Sequence, residues 1–267
     1  MSGSSAASLP PLEARSFVLA TDLDGTFLGG SETDRQALYG WIEANRASIG
    51  LVFVTGRDPA FIAELCAAGV PWPDYAVGDV GTTIAEIAPG SGDPVRPIPS
   101  LEAEIAERWG NRGPAVRSAL DGHPGLALQP TPFRYRVSYD YDPAAYCPSA
   151  EEKIAALDLD HLISNDQFFD VLPKGVSKGP SLRRLVGHLG IAEDRVLTAG
   201  DTLNDLSMLE SGLKSVAVGG SEPALLDRLA GRETVYAARG IGAAGILEAV
   251  AVFGLHPLPE GDLRHAL

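Results

Sequence analysis

Cysteine, basic charge and long apolar runs are all scarce in this 267-residue chain. Its two cysteines, Cys66 and Cys147, stand far apart and belong to no CxxC pair. Neither a disulfide framework nor a zinc knuckle can be built from them, which points to a reducing, cytoplasmic setting. Lys and Arg number 21 against 35 Asp and Glu, a formal net charge of −14. A protein that neutralises many phosphates of a polyanion needs a basic face, so neither nucleic acid nor an anionic membrane is an expected partner. No apolar stretch approaches the roughly 20 residues that cross a bilayer. The opening MSGSSAASLPPLEARS lacks the apolar core of a secretion signal. The expectation is a soluble protein with a disordered tail over residues 1–15 and a second tail over 256–267.

What is present is the composition of a packed protein, 45% hydrophobic and 21% charged, which excludes wholesale disorder. Short, β-branched apolar runs alternate with amphipathic stretches. The runs Ser16–Thr21, Gly50–Thr55, Tyr75–Gly78, Arg195–Gly200, Ser215–Gly219 and Thr234–Ala238 read as parallel strands buried on both faces. Glu32–Ala47, Pro59–Ala68 and Pro180–Leu189 read as helices, the last with Leu182, Leu185, Val186 and Leu189 on one face and Gly190 just past its end. This rhythm predicts an α/β fold, a doubly wound Rossmann-like parallel sheet.

The rhythm breaks in the middle. Residues 89–148 hold 10 of the 20 prolines. Pro132–Pro143 alternates like a half-exposed antiparallel strand, and His161–Pro173 reads as a second one. We therefore expect an α+β domain over 84–172, inserted between core segments 16–83 and 173–255. No internal repeat is found.

Ligands of open α/β sheets bind outside the carboxyl ends of the strands. There the first strand runs into Asp22-Leu23-Asp24-Gly25-Thr26 and the second into Thr55-Gly56-Arg57. Further on come Lys178 at a helix start and Gly200-Asp201-Thr202-Leu203-Asn204-Asp205 after another strand. Each motif alone fits a bland alternative: an Asp-Gly turn, an N-cap threonine or a surface lysine. Two neighbouring carboxylates such as Asp22 and Asp24 repel unless a cation or proton lies between them. A lysine at a helix start opposes the helix dipole, which weakens the structural explanation.

The ordered set DxDGT, Thr-Gly, Lys and GDxxND resembles the haloacid dehalogenase superfamily of aspartyl-phosphate-forming hydrolases. That resemblance implies Asp22 as nucleophile and Asp24 as general acid/base. It implies Thr55, the Gly56 amide, Lys178 and Asn204 as phosphate-binding groups. Mg²⁺ would be held by Asp22, the Asp24 backbone carbonyl and Asp201, with Asp205 ordering that shell. Thr55 and Lys178 are 123 positions apart, a placement of the insertion that implies a C2-type cap. PDYAVGDVGTTI, RYRVSYDYDP, DVLPKGVSKGPSL and GILEAVAVF further resemble the sucrose-6-phosphate phosphatase family over Phe17 to about Leu255. This implies a sugar-phosphate substrate. Two departures are Thr83, where many members carry Glu, and the more apolar cap stretch Ser164–Phe169.

The resulting expectation is a Mg²⁺-dependent sugar-phosphate phosphatase. A non-catalytic sugar-phosphate or partner-binding protein of the same fold is the alternative. Arg136, Asn165 and Asp166 are the polar cap groups expected to meet the sugar. The Gly240–Gly245 match to GxGxxG follows a strand but opens no further βαβ unit, so a dinucleotide site is rejected in favour of a turn into the last helix. The oligomeric state is not legible.

Overall fold

The computed structural model describes residues 9–164 and 166–258. Its strands are β1 (Phe17–Thr21), β2 (Ile49–Val54), β3 (Tyr75–Gly78), β4 (Thr83–Ile87), β5 (Val95–Pro97), β6 (Leu126–Leu128), β7 (Val137–Tyr141), β8 (Leu159–Ser164), β9 (Phe168–Pro173), β10 (Val196–Gly200), β11 (Lys214–Gly219) and β12 (Val235–Ile241). The helices are α1 (Glu32–Ala44), α2 (Phe61–Ala67), α3 (Pro99–Trp109), α4 (Gly113–Ala119), α5 (Ser149–Ala156), α6 (Lys178–Leu189), α7 (Leu206–Leu209), α8 (Pro223–Leu229) and α9 (Ala243–Val252).

Eight strands form one sheet in the order β12-β11-β10-β1-β2-β3-β4-β5. The first six are parallel, and β4 and β5 fold back antiparallel. Helices cover both faces, so β1 is buried at all five positions and splits its side chains between two cores. Phe17 and Leu19 join Phe53, Trp41, Ile42 and Ile246 on one side. Val18 and Ala20 join Val52, Val77, Leu182 and Leu185 on the other. No described helix is long and apolar enough to cross a membrane.

The expected insert boundary at residue 84 falls inside this sheet. Thr83–Ile87 pairs antiparallel with β3, and Val95–Pro97 extends the sheet by one more strand. The prolines at 89 and 94 therefore bound a hairpin rather than a domain. Composition marks the turn but not which strand receives the ladder. The crossing comes at α3, where Leu101 and Ile105 pack in the core and Trp109 packs in the insert.

A second, antiparallel sheet follows, in the order β6-β7-β9-β8. One face buries Val137, Tyr139, Phe169 and Val171 against Val116 and Ile154 of the helices behind it. The segment His161–Pro173, expected as one strand, is the hairpin β8–β9, with Ser164 opposite Phe168. Asp166 in its turn adopts φ +49°, a left-handed conformation that Asp tolerates better than most residues. The apolar character on both sides of this short polar break is what made it read as continuous.

Part of each expected tail packs on the core. Leu12 is buried, and Arg15 is ion-paired to Asp74 at 2.9 Å while donating to the Ile49 and Pro10 carbonyls. At the other end, the Trp41 indole donates to the Pro257 carbonyl at 2.9 Å. Residues 1–8 and 259–267 lie outside the described residues.

Arg15 is 5% exposed, and removing Asp74 would leave its charge buried with carbonyl partners only. Asp74→Ala should therefore cost about 3 kcal/mol or more. Urea denaturation at unchanged m-value measures this, and a loss below about 1 kcal/mol would show that the pair contributes no more than a surface bridge.

Candidate active site

The carboxyl end of β1 delivers Asp22, and Gly25 turns the chain immediately after it with φ +79°. A Cβ at Gly25 would stand 2.1 Å from Asp201 Oδ2, so only glycine lets this turn approach the loop after β10. A second close approach brings in α6. A Cβ at Gly81 would lie 2.4 Å from the Ser177 carbonyl, which seats the loop after β3 on the first turn of that helix.

Lys178, the first residue of α6, is fully buried. Its Nζ donates to Asp22 Oδ1 at 2.6 Å, Asp205 Oδ1 at 2.7 Å and Asn204 Oδ1 at 2.9 Å. An ammonium has three N–H groups, and all three are taken. Asp205 is equally committed: its other oxygen accepts the backbone N–H of Asp201 and of Thr202. Asp22 Oδ2 and Asp201 Oδ2 accept no hydrogen bond among the described residues.

Three carboxylates crowd one ammonium. Burial, reinforced by Asp205, pushes Asp22 up to about 8, although Lys178 pulls it down. Burial pushes Asp201 up to about 6 against the hydrogen bond from the Thr26 hydroxyl at 2.7 Å. Burial disfavours the charge on Lys178, but Asp205 and Asp22 outweigh it and raise its pKa above the ordinary lysine value. Oxygen atoms of Asp22, Asp201 and Asp205 lie within 4.8 Å of one another. That set suits a hard divalent cation, which takes carboxylate oxygens and relieves their repulsion.

A cavity of about 430 Å³ opens beside this cluster, bounded by Asp22, Asp24, Gly56 and Asn204 on the sheet side. The Asp24 carboxylate is half exposed and accepts a two-pronged hydrogen bond from Arg57, at 2.8 and 2.6 Å. Thr55 is buried, and its hydroxyl accepts the Arg57 amide at 3.1 Å, closing the turn that presents Gly56.

The insert supplies the opposite wall with Gln129, Arg136, Ser164, Phe168 and Asp170. Of the three cap residues singled out from sequence, Arg136 lines the cavity. Asp166 is exposed at the hairpin turn and is not part of the lining, and Asn165 lies outside the described residues. Strand alternation explains why Arg136 lines the cavity, and its place in the turn explains why Asp166 does not. Val137 and Tyr139 face the insert's own core, which turns Arg136 and Ser138 toward the site. Likewise Phe169 and Val171 turn inward, leaving Phe168 and Asp170 outward. Arg57, Ser164, Phe168 and Asp170 were missed; the period-2 pattern around Phe169 was the available signal. Gly240 and Gly245 meet as packing residues, since a Cβ on Gly245 would lie 2.3 Å from the Gly240 carbonyl.

The model of the sucrose-6F-phosphate phosphohydrolase family matches residues 15–254. The chain belongs to this family. Its fold agrees with a solved family relative, the Synechocystis sucrose-phosphatase in complex with sucrose and phosphate. The TM-score is 0.79 at 27% identity, over 90% of this chain and 98% of that one. The mannosylfructose-phosphate phosphatase of Agrobacterium fabrum is 28% identical over 90% of this chain and 98% of its own length. A glucosylglycerol-phosphate synthase of Pseudomonas anguilliseptica is 42% identical over 89% of this chain. The chain spans only 31% of that synthase's length. Family membership places the chain among haloacid dehalogenase-type sugar-phosphate phosphatases.

If the three-carboxylate cluster binds Mg²⁺, the ion should raise the melting temperature of chelator-treated protein. At a hundredfold excess over Kd the gain is about 2.7 kcal/mol. Asp22 and Asp201 hold protons above their unfolded pKa values, so their contribution to stability without metal is lost as pH rises through about 8 for Asp22 and about 6 for Asp201. Protons compete with the ion over the same range, so the Mg²⁺-induced shift should be larger at pH 8 than at pH 6. Scanning calorimetry of wild type and Asp201→Asn measures this. An equal shift in both proteins would place the ion elsewhere.

Proposed function

We propose that the chain hydrolyses the phosphomonoester of a glycoside, with Asp22 as the nucleophile. The observation that carries this reading is the buried Lys178 ammonium bound to Asp22, Asn204 and Asp205 behind a two-walled cavity that Asp22 and Asn204 line. A bound Mg²⁺, held by Asp22 and Asp201 with Asp205 ordering their loop, would neutralise charge on the phosphoryl group.

Asp22 Oδ attacks phosphorus, and the bond from phosphorus to the glycoside oxygen breaks. Asp24, released from the Arg57 fork and protonated, gives its proton to that departing oxygen. As a carboxylate, Asp24 then takes a proton from the water that attacks phosphorus, and the bond to Asp22 breaks with release of inorganic phosphate. Lys178, the Gly56 amide and the Thr55 turn balance charge on the equatorial oxygens. Asp205 is a positioning residue, since both its oxygens are spent on Lys178 and the Asp201–Thr202 amides. The insert acts as a cap: Arg136 reaches across to the Gly56 carbonyl at 3.4 Å, and a closed cap keeps bulk water from the phospho-aspartate.

The higher identity to the glucosylglycerol-phosphate synthase than to the disaccharide-phosphate phosphatases favours a glycosylglycerol phosphate as substrate. A non-catalytic binder of the same fold would have no use for Asp24 in the cavity. Phosphate release from p-nitrophenyl phosphate, glucosylglycerol phosphate and sucrose 6-phosphate, ranked by kcat/KM, tests both points. No release from any of them would leave the binding role.

Asp22→Asn should lower kcat more than a thousandfold, a barrier increase of about 5 kcal/mol, because an amide is a poor nucleophile. Retention of a tenth of wild-type kcat would exclude the covalent route. Asp24→Asn should cost roughly 10²–10⁴-fold on glycoside phosphates. Its cost should shrink in phospho-enzyme formation from p-nitrophenyl phosphate, whose leaving group needs little protonation. Equal losses on both substrates in that step would remove Asp24 as the acid.

A further inference from the structure

Beyond the phosphate position, the cavity has a distinctive charge inventory. Its lining contains two cations, Arg57 and Arg136, and each is already held by a carboxylate. Arg57 is forked onto Asp24. Arg136 is 7% exposed and donates through Nη1 to Asp170 Oδ1 at 2.9 Å, while Nη2 faces Asp79 Oδ1 at 3.5 Å. The Ser138 hydroxyl also donates to Asp170, which fixes that carboxylate against the guanidinium. The Phe133 ring lies 3.6 Å below the Arg136 guanidinium carbon and restricts its movement. The rest of the insert's wall is uncharged: Gln129, Ser164 and Phe168.

We propose that Asp170 is a specificity-determining residue that confines the leaving group to uncharged glycosides and polyols by occupying Arg136. This rests on the phosphatase reading above and adds to it the charge of the group that departs. Arg136 alone would be a ready partner for a carboxylate, because a guanidinium fork matches that geometry. With Asp170 bound to it, a leaving-group carboxylate would instead meet Asp170, and Nη1 of Arg136 is already taken. Like charges brought together in a desolvated site are strongly disfavoured. Neutral recognition survives. Ser164 adds a hydroxyl, and Phe168 adds a ring against which the apolar face of a sugar can lie. The site thus combines attraction for polyols with an element that repels acids.

The test uses a matched pair of substrates: a glucosylglycerol phosphate and the glucosylglycerate phosphate that carries a carboxylate in place of its free hydroxymethyl group. Wild-type kcat/KM should favour the neutral ester at least a hundredfold. Asp170→Asn releases Nη1 of Arg136, whose Nη2 stays against Asp79, and should narrow that ratio at least tenfold by raising the rate on the acid. Gln129→Lys combined with Asp140→Asn, which removes the carboxylate that accepts the Gln129 amide at 2.8 Å, adds an unpaired cation to the wall, leaves the buried network intact and should narrow the ratio in the same direction. It therefore decides the matter if the Asp170 variant does not fold. Comparable kcat/KM for the two esters in wild type would overturn the inference while leaving the phosphatase reading in place. So would a ratio that neither variant moves. Failure to release phosphate from any ester, p-nitrophenyl phosphate included, would overturn the phosphatase reading itself, and this inference with it.

Discussion

A fully buried ammonium is the constraint on which the rest of this molecule turns. Desolvating Lys178 at the start of a helix, where the dipole also opposes positive charge, is costly unless acceptors meet all three N–H groups. The chain meets them with Asp22, Asn204 and Asp205, drawn from the ends of β1 and β10. These segments are far apart in sequence and adjacent in the sheet. Parallel pairing of β1 with β10 is therefore also what assembles the chemistry. The three acidic groups around Lys178 leave a surplus of negative charge, and that surplus makes the site receptive to a divalent cation.

The neighbouring loops are shaped by the same requirement. Asp79 and Val80 both adopt positive φ, unusual for Asp and rarer still for a β-branched residue. Such backbone costs of order 1–3 kcal/mol per residue and persists only where its surroundings hold it. Here they do. The Asp79 amide donates to the Arg57 carbonyl, the Val80 amide donates to the Thr55 carbonyl, and Gly81 sits against the Lys178 helix start. The strained turn carries Asp79 toward Arg136 of the insert and places Val80 in the cavity wall. Thr83 donates its hydroxyl to Asp79 at 2.7 Å and so supports this turn from β4.

The two walls of the cavity differ in kind. The sheet side concentrates charge and commits nearly every polar atom within it. The insert side pairs its one lining cation with Asp170 and presents neutral groups. Under the proposed mechanism, the phosphate would meet the charged floor and the leaving group the insert's wall.

Strand ends, motif order and the α/β rhythm were legible in the sequence because each rests on local physics. Buried parallel strands need continuous β-branched runs, and Asp-Gly turns need residues that tolerate positive φ. The same reading placed Lys178 at a helix start, where local propensity alone gives no reason for it. Pairing and facing were decided only by the tertiary structure. That Thr83–Ile87 extends the core sheet depends on β3 offering its edge, and that His161–Pro173 folds as a hairpin depends on β7 receiving β9. Whether Arg136 or its neighbour meets the cavity depends on which face Trp109, Val116 and Ile154 cover. Period-2 alternation names two faces but not which is inward, because that choice is made by the helices packing behind the sheet.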